Sequence, residues 1–374
     1  MSNSQRLRIL HVVDSLEIGG LERVVASLAI AQQSEGHQVV VFSINQTTGF
    51  RGLLEQAGIR VVVGEKKGTL DMQVLRRLRA LARDCDVIHA HNFVPNYYAA
   101  AAILGMYRPP VLTGTCHDMG MRLSNRRLRW LYRWSLRRTA RVAMVGQQVC
   151  DHFVGAGYVS AARASTVLNG VPVGDFASSQ IARTGTRGAL GISSEALVIG
   201  CVGRLVALKN HQILIGLMPA LLSQNPQLLL VLAGDGPLAE QLATQARELG
   251  VSKQVLFLGA VRDVGALLPA FDIFAQPSHT EGLSVALLEA CAAGLAVVAT
   301  DVGGNSEIVK NGVTGTLVPV NDANSLSSAL VALIDDESLR HRLGESALRW
   351  VKANASLDAL CLAYDRFYRK AMTE

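Results

Sequence analysis

Two glutamates, Glu281 and Glu289, stand eight residues apart in "EGLSVALLEACAAG", residues 281–294. From Ser284 onward the stretch predicts a helix of small and apolar residues, ended by Gly294 ahead of the strand-like "AVVAT". Glu289 sits mid-helix between Leu288 and Ala290, with no basic residue within four positions. A carboxylate on so apolar a helix is expensive to bury unless something donates hydrogen bonds to it. The two acids therefore ask for a polar partner from outside their own segment.

Other residues of chemical interest follow apolar runs. In "GCVGRLVALK", Arg204 and Lys209 lie five apart just past a strand; two such cations can grip a diphosphate and neutralise one that departs, or can be plain solvated charges. In "SLEIGGLER", Gly19 and Gly20 precede a helix, either as a simple strand–helix turn or as a place where backbone amides approach an anion. "VIHAHN" puts His89 and His91 on one face of a strand, and "GTCHD" adds His117 after the next. These three read as partners for substrate hydroxyls or as hydrogen-bonded core histidines. No carboxylate motif accompanies them, so a metal set is the weakest of the three readings.

"RLSNRRLRWLYRWSLRRTAR", residues 122–141, carries eight arginines. Arg122, Arg126, Arg129, Arg133 and Arg137 recur at helical spacing, with Leu128, Leu131 and Trp134 towards another face. Such a helix suits an anionic membrane surface, or is an ordinary packing helix with a solvated arginine face. Charge is unequal between the halves: residues 1–170 hold 21 Lys and Arg against 11 Asp and Glu, and the remainder 15 against 19. One half thus favours something anionic. Nucleic acid is discounted, because aromatic stacking platforms and reader folds are missing from the pattern.

Several classes are excluded. "AGDGPLA" contains G-x-G-x-x-A, but Pro237 follows its second glycine and no ribose-binding acid stands about 20 residues on, which argues against a dehydrogenase. No G-x-x-x-x-G-K-[ST] loop and no local Ser-His-Asp or Cys-His form occurs. The six cysteines are scattered, as expected of reduced thiols in a cytosol-like compartment. No run of 18 apolar residues spans a membrane, and "LRILHVV" reads as a first buried strand and not a signal peptide.

These residues need a scaffold that gathers strand ends. With 49% hydrophobic and 18% charged residues, the 374-residue chain has ample core for two domains. Apolar runs ("LRILHVV", "HQVVVFSI", "RVVVG", "DVIHAH", "VLTGT", "ARVAMVG") alternate with helix-length segments, then restart as "LVIGCVG", "LLLVLAG", "VLFLG", "DIFAQPS", "AVVAT" and "TGTLVP". Between them "GDFASSQIARTGTRGALGISSE" shows no period and is expected to hold the boundary. The pattern predicts two doubly wound α/β units with parallel sheets, which bind ligands at the carboxyl ends of their strands.

With these motifs in order, the chain resembles glycosyltransferase family 4, the retaining GT-B enzymes that take a sugar from a nucleotide-sugar donor. Glu281 and Glu289 match the family's E-x7-E, followed by Gly303, Gly304 and Glu307 as Gly-Gly-x-x-Glu; "GRLVALKNH", "GDGP", "NGV" and "GGLER" fall in the family's order. Ala296 stands where the family often has proline. The resemblance implies two Rossmann-like domains facing across a cleft: 1–176, acceptor-binding and joined by 357–374, and 177–356, donor-binding. It implies that Glu289 accepts from the two ribose hydroxyls and Glu281 from hydroxyls of the transferred sugar. The amides of Gly282, Leu283 and Ser284 would face sugar and phosphate, Arg204 and Lys209 would bind the leaving diphosphate in place of a metal, and Gly19 and Gly20 would approach it from the first domain. Val261 would meet the base, His117 would lie near the reacting sugar and the acceptor, and His89 and His91 on the acceptor side. The expected activity is retaining transfer from a UDP- or GDP-sugar to a glycan or lipid-linked hydroxyl, without cofactor or metal, in the cytoplasm or peripherally on the inner face of a membrane, for cell-surface polysaccharide or glycolipid. A sugar-nucleotide epimerase or a non-catalytic member of an assembly complex are the alternatives on this scaffold.

Overall fold

The computed structural model describes residues 6–68, 70–117, 121–176 and 179–373, the side chains of residues 121 and 122 excepted. The chain divides into two compact units: Met1–Gly170 with Leu357–Glu374, and Val171–Ser356. Unit 1 is built on β1 (Arg8–Val13), β2 (Gln38–Ser43), β3 (Arg60–Val63), β4 (Val87–His91), β5 (Val111–Cys116), β6 (Arg141–Met144) and β7 (Ala164–Thr166). They form one sheet in the order β3-β2-β1-β4-β5-β6-β7. Unit 2 holds β8 (Leu197–Val202), β9 (Leu228–Ala233), β10 (Val255–Gly259), β11 (Ile273–Gln276), β12 (Ala296–Thr300) and β13 (Thr316–Val318), in the order β10-β9-β8-β11-β12-β13.

Every pairing between these strands is parallel. That explains why the runs are apolar throughout and do not alternate: helices cover both faces, so β4 and β12 are buried at every position. In each sheet the order turns back beside the first strand, between β1 and β4 and between β8 and β11. Loops leaving the two strands at such a point diverge, opening a crevice at their carboxyl ends. Gly19 and Gly20 follow β1, Arg204 and Lys209 follow β8, and Glu281 follows β11.

The polar interval expected to hold the boundary contains a helix, Gln180–Ala189, belonging to unit 2. Its attachment is polar, which is why no apolar period marks it. Arg183 and Arg187 pair with Asp272, at 2.5 and 2.8 Å, and donate to the carbonyls of Pro269, Phe271 and Ala270 just ahead of β11. Asp272 also accepts from the Val198 amide at 2.7 Å, so the two arginines fasten this helix to the root of the central strands.

The last helix, Leu357–Thr373, packs in unit 1 against the helix Gly20–Ser34 and β5, burying Tyr364 and Tyr368. Among the described residues, no helix is long and apolar enough to cross a membrane.

Candidate active site

In unit 2 the loops after β8 and β11 are tied together. Lys209 Nζ lies 2.6 Å from Glu281 Oε1, and Leu208 O accepts from the His279 amide at 2.8 Å. Oε1 also accepts from Gln276 Nε2 at 2.5 Å and Ser278 Oγ at 2.6 Å. Three donors on one oxygen, one of them cationic, hold the Glu281 side chain in place, 9% exposed. Gln276 is the hub: its Oε1 accepts from Ser284 Oγ at 2.8 Å, and Ser284 in turn caps the helix Val285–Ala292 by accepting from the Leu287 amide.

That helix runs as its sequence predicts, with Glu289 3% exposed among buried Leu287, Leu288, Ala290, Cys291 and Ala292. The Gly282 and Leu283 backbone is held from the far side by Gly303 and Gly304, which follow β12. The Gly304 amide donates to Gly282 O at 2.7 Å. A Cβ on Gly303 would fall 1.9 Å from Glu281 O, and one on Gly304 2.6 Å from Gly282 O. The Gly-Gly pair is thus required for backbone to lie flat on backbone under the acidic loop. The glycines of "GDGP" serve the same end beneath the cationic loop. A Cβ on Gly234 would meet Gly203 O at 1.9 Å and one on Gly236 would meet Leu205 O at 2.5 Å. They are a pad for the loop carrying Arg204, which is why the dinucleotide fingerprint fails there.

Arg204 is exposed and makes no ion pair among the described residues, whereas Lys209 is already paired. Val261 lies in the loop after β10, partly buried.

In unit 1, Gly19 caps the helix Gly20–Ser34 with extended backbone, and its Cβ position is filled by the Glu22 carboxylate. His89 and His91 share a face, ring centres 4.1 Å apart, and the sheet register adds His11 beside His89. All four histidines of this group are driven neutral by burial: His11 to about 4, His117 to about 3, and His89 and His91 well below the ordinary value. His89 meets Tyr368 OH at 2.7 Å and Thr115 Oγ1 at 2.6 Å; His91 meets His11 at 3.0 Å and His117 at 3.1 Å. Both ring nitrogens of each thus already have a hydrogen-bond partner within unit 1. His11, His89 and His91 also bring nitrogens within 4.8 Å of one another, close enough to hold an ion, but those nitrogens are engaged in hydrogen bonds.

The arginine stripe forms a helix, Arg126–Leu136, capped by Asn125. Arg126, Arg133 and Arg137 are exposed and Arg129 partly so, while the Arg122 side chain lies outside the described residues. Trp130 stands among them 66% exposed.

Several residues went unmarked in the sequence: Gln276 and Ser278 in unit 2, and His11, Gln32, Tyr364 and Tyr368 in unit 1. A polar residue inside or at the end of an apolar run was the available signal, in "DIFAQPS" and "LRILHVV".

Two family models match in succession: "Glycosyltransferase Family 4" over residues 18–174 and "Glycosyl transferases group 1" over 183–350. The chain belongs to the family 4, group 1 glycosyltransferases. Among curated relatives, the chain is similar to an Escherichia coli "UDP-Gal:alpha-D-GlcNAc-diphosphoundecaprenol alpha-1,3-galactosyltransferase", 28% identical over 264 residues, 68% of this chain and 67% of that one. It is also 29% identical over 285 residues to a GDP-mannose-dependent phosphatidylinositol monomannoside mannosyltransferase of Mycolicibacterium smegmatis, 72% of this chain and 74% of that one. Among solved structures, Anabaena Alr3699/HepE in complex with UDP-glucose superposes with a TM-score of 0.86 at 23% identity, covering 99% of this chain and all of that one. The glycosyltransferase thus has the GT-B fold class, built from two Rossmann-like units of seven and six parallel strands.

Proposed function

We propose that the protein is a retaining, metal-independent glycosyltransferase that moves a sugar from a UDP- or GDP-sugar to a hydroxyl of a glycan or lipid-linked acceptor, in the making of cell-surface polysaccharide or glycolipid. The observation that carries this reading is the Glu281 anchor: a carboxylate immobilised through Oε1 by Lys209, Gln276 and Ser278, with Oε2 outside that set of bonds. A fixed acceptor oxygen of this kind suits the hydroxyls of a sugar whose position must be held while a bond is exchanged. Glu289, eight residues on and buried, suits the ribose diol. Arg204, exposed and without an ion pair among the described residues, suits the diphosphate, with Lys209 beside it. The amides of Gly282, Leu283 and Ser284 and the backbone of Val261 complete the donor side in unit 2; unit 1, which carries Gly19, Gly20 and His117, takes the acceptor.

In the reaction, the bond from the anomeric carbon to the diphosphate oxygen breaks and one to the acceptor oxygen forms on the same face. The acceptor proton passes to the leaving phosphate oxygen. Arg204 and Lys209 stabilise the charge that develops there. The similarity to relatives that use lipid-linked acceptors supports the membrane-side setting. So does the exposed Arg126, Arg133 and Arg137 face with Trp130, which fits an anionic inner leaflet.

The test is transfer from a panel of UDP- and GDP-sugars to undecaprenyl-diphosphate-linked GlcNAc in the presence of a chelator, with the product's anomeric configuration read by proton NMR. A product of the donor's configuration is expected. An inverted product, or strict dependence on added Mg2+, would contradict the mechanism. Absence of transfer with every donor–acceptor pair would contradict the activity as stated.

A further inference from the structure

The buried polar side chains of unit 1 form one continuous hydrogen-bond chain whose polarity can be followed bond by bond. It starts at Gln32, 2% exposed on the helix Gly20–Ser34. Its amide has two ends of different kind: the oxygen only accepts and the nitrogen only donates. Gln32 Oε1 lies 2.8 Å from His11 Nε2, so that ring nitrogen carries the proton. A neutral imidazole has one N–H, hence His11 Nδ1 is a lone pair and accepts from His91 Nε2 at 3.0 Å. The step repeats. His91 Nδ1 accepts from His117 Nε2 at 3.1 Å, which leaves His117 Nδ1 as a lone pair.

The second arm agrees with the first. Gln32 Nε2 donates to Tyr368 OH at 3.3 Å. The Tyr368 hydroxyl is then free to donate to His89 Nδ1 at 2.7 Å, and His89 Nε2 donates to Thr115 Oγ1 at 2.6 Å. One set of protons satisfies both arms. The chain ends at His117 Nδ1, a buried nitrogen with no hydrogen-bond partner among the described residues. His117 is further held by its backbone amide, which donates to Asn92 Oδ1 at 2.9 Å.

We propose that Gln32, His11 and His91 are positioning residues that hold His117 in its Nε2–H tautomer, so that Nδ1 accepts a hydrogen bond from a substrate hydroxyl. This rests on the reading of unit 1 as the acceptor side and adds the direction of the bond: the ligand donates and the protein accepts. A hydroxyl-bearing sugar satisfies that need, and a deoxy analogue at the contacted position does not. His11 and His91 touch no ligand. They act through His117, as a partner that fixes one nitrogen of an imidazole decides what the other can do.

The experiment uses the full chain labelled with 15N-histidine at pH 7.5, with His117 assigned from the spectrum of His117→Asn. The ring nitrogens are read by long-range proton–nitrogen correlation, and the same samples are assayed for transfer and for UDP and GDP binding. His117 is expected as a single Nε2–H tautomer. His91→Phe should mix its tautomers and lower kcat by about 10- to 100-fold, with nucleotide affinity unchanged. His91→Gln, which again offers an acceptor at one end and a donor at the other, should restore the tautomer and most of kcat. Gln32→Leu tests the anchor if His91→Phe does not fold.

A wild-type His117 in the Nδ1–H form would overturn the proposal, since it would reverse every bond from Gln32 outward. An unchanged tautomer in both His91→Phe and Gln32→Leu would do the same. So would stoichiometric Zn2+ shifting His11, His89 and His91 together, which would make the group a metal site. Because the tautomer is read without turnover, its failure is distinct from failure of the transferase reading, which the transfer and nucleotide-binding assays report.

Discussion

Lys209 Nζ and Glu281 Oε1 are 2.6 Å apart, joined across the loops that leave β8 and β11. The cation that the family resemblance assigns to a diphosphate is therefore not idle before a ligand arrives; it already holds the carboxylate assigned to the sugar. Donor phosphate and donor sugar would be read by two residues that fix each other.

The two cations of this loop should consequently behave differently when removed. Lys209→Met leaves Glu281 with only Gln276 and Ser278, and should lower the stability of unit 2 by about 1–3 kcal/mol. That is less than the roughly 3–5 kcal/mol of a wholly buried pair, because the Lys209 side chain keeps 24% exposure. Arg204→Met should shift stability by no more than about 0.5 kcal/mol yet weaken diphosphate binding by about 10- to 150-fold, the worth of one charged hydrogen bond. Denaturant titration beside calorimetry separates the two effects. Equal destabilisation by both substitutions would count against the pairing.

The glycines beneath Glu281 give a second prediction. Gly304→Ala brings a Cβ to 2.5 Å from Leu283 Cδ1, and Gly303→Ala brings one to 1.9 Å from Glu281 O at a residue whose φ is +52°. Both should cost about 1–3 kcal/mol as overpacking, with Gly303→Ala the worse because its left-handed backbone adds about 1 kcal/mol. The moved loop should lower nucleotide-sugar affinity more than nucleotide affinity. Wild-type affinity for the intact donor in Gly303→Ala would show that the loop does not hold the sugar.

The buried histidines predict an acid-sensitive unit 1. Their folded pKa values lie below the unfolded value near 6.5, at about 4 for His11 and about 3 for His117. The unfolded chain therefore binds protons that the native one refuses. Stability is fully present above about pH 6.5 and falls as pH drops towards 4, by up to about 1.4 kcal/mol per pH unit for each histidine. Unit 1 carries four in one cluster, and His211 is the group of this kind resolved in unit 2, held low by burial near Lys209. Melting curves between pH 7.5 and 5 should fall steeply, and His91→Gln should reduce the slope by about one proton. A flat profile over that range would mean that the cluster is hydrated and not buried.

Why the strands and the acidic helix were legible in the sequence, and the histidine chain was not, has a physical reason. Parallel strands covered on both faces are apolar from end to end, so β4 or β12 announces itself locally. Glu289 stood out because it lies in an apolar helix with no basic residue within four positions. Gln32 and Tyr368, by contrast, are 336 residues apart, and each taken alone is an ordinary helical residue. The helix Gln180–Ala189 escaped because arginines bonded to carbonyls and Asp272 attach it, leaving no apolar period. The Lys209–Glu281 pair was legible as two residues worth naming, but their contact depends on the order in which strands lie side by side.

The arginine face predicts salt-sensitive binding to vesicles containing anionic lipid. Arg126→Gln with Arg133→Gln and Arg137→Gln should weaken it by about 100-fold or more, at about 1 kcal/mol for each charge. Trp130→Ala should weaken it with little change in salt dependence, since its contribution is apolar. Sedimentation with vesicles at 50 and 500 mM salt reads both. Absent or salt-insensitive binding of the wild type would remove the membrane surface from the account.

The central claim is that unit 2 reads a nucleoside diphosphate through Glu289 without a metal. It is tested most directly by titrating UDP and GDP calorimetrically into the wild type and Glu289→Gln, in EDTA and again in Mg2+. The account predicts that one diphosphate binds equally in both buffers and that Glu289→Gln loses at least about tenfold of that affinity, a change of about 1.4 kcal/mol, while remaining folded. Failure of both diphosphates to bind, or an unaltered affinity in Glu289→Gln, would contradict it and leave the buried glutamate with a purely structural role.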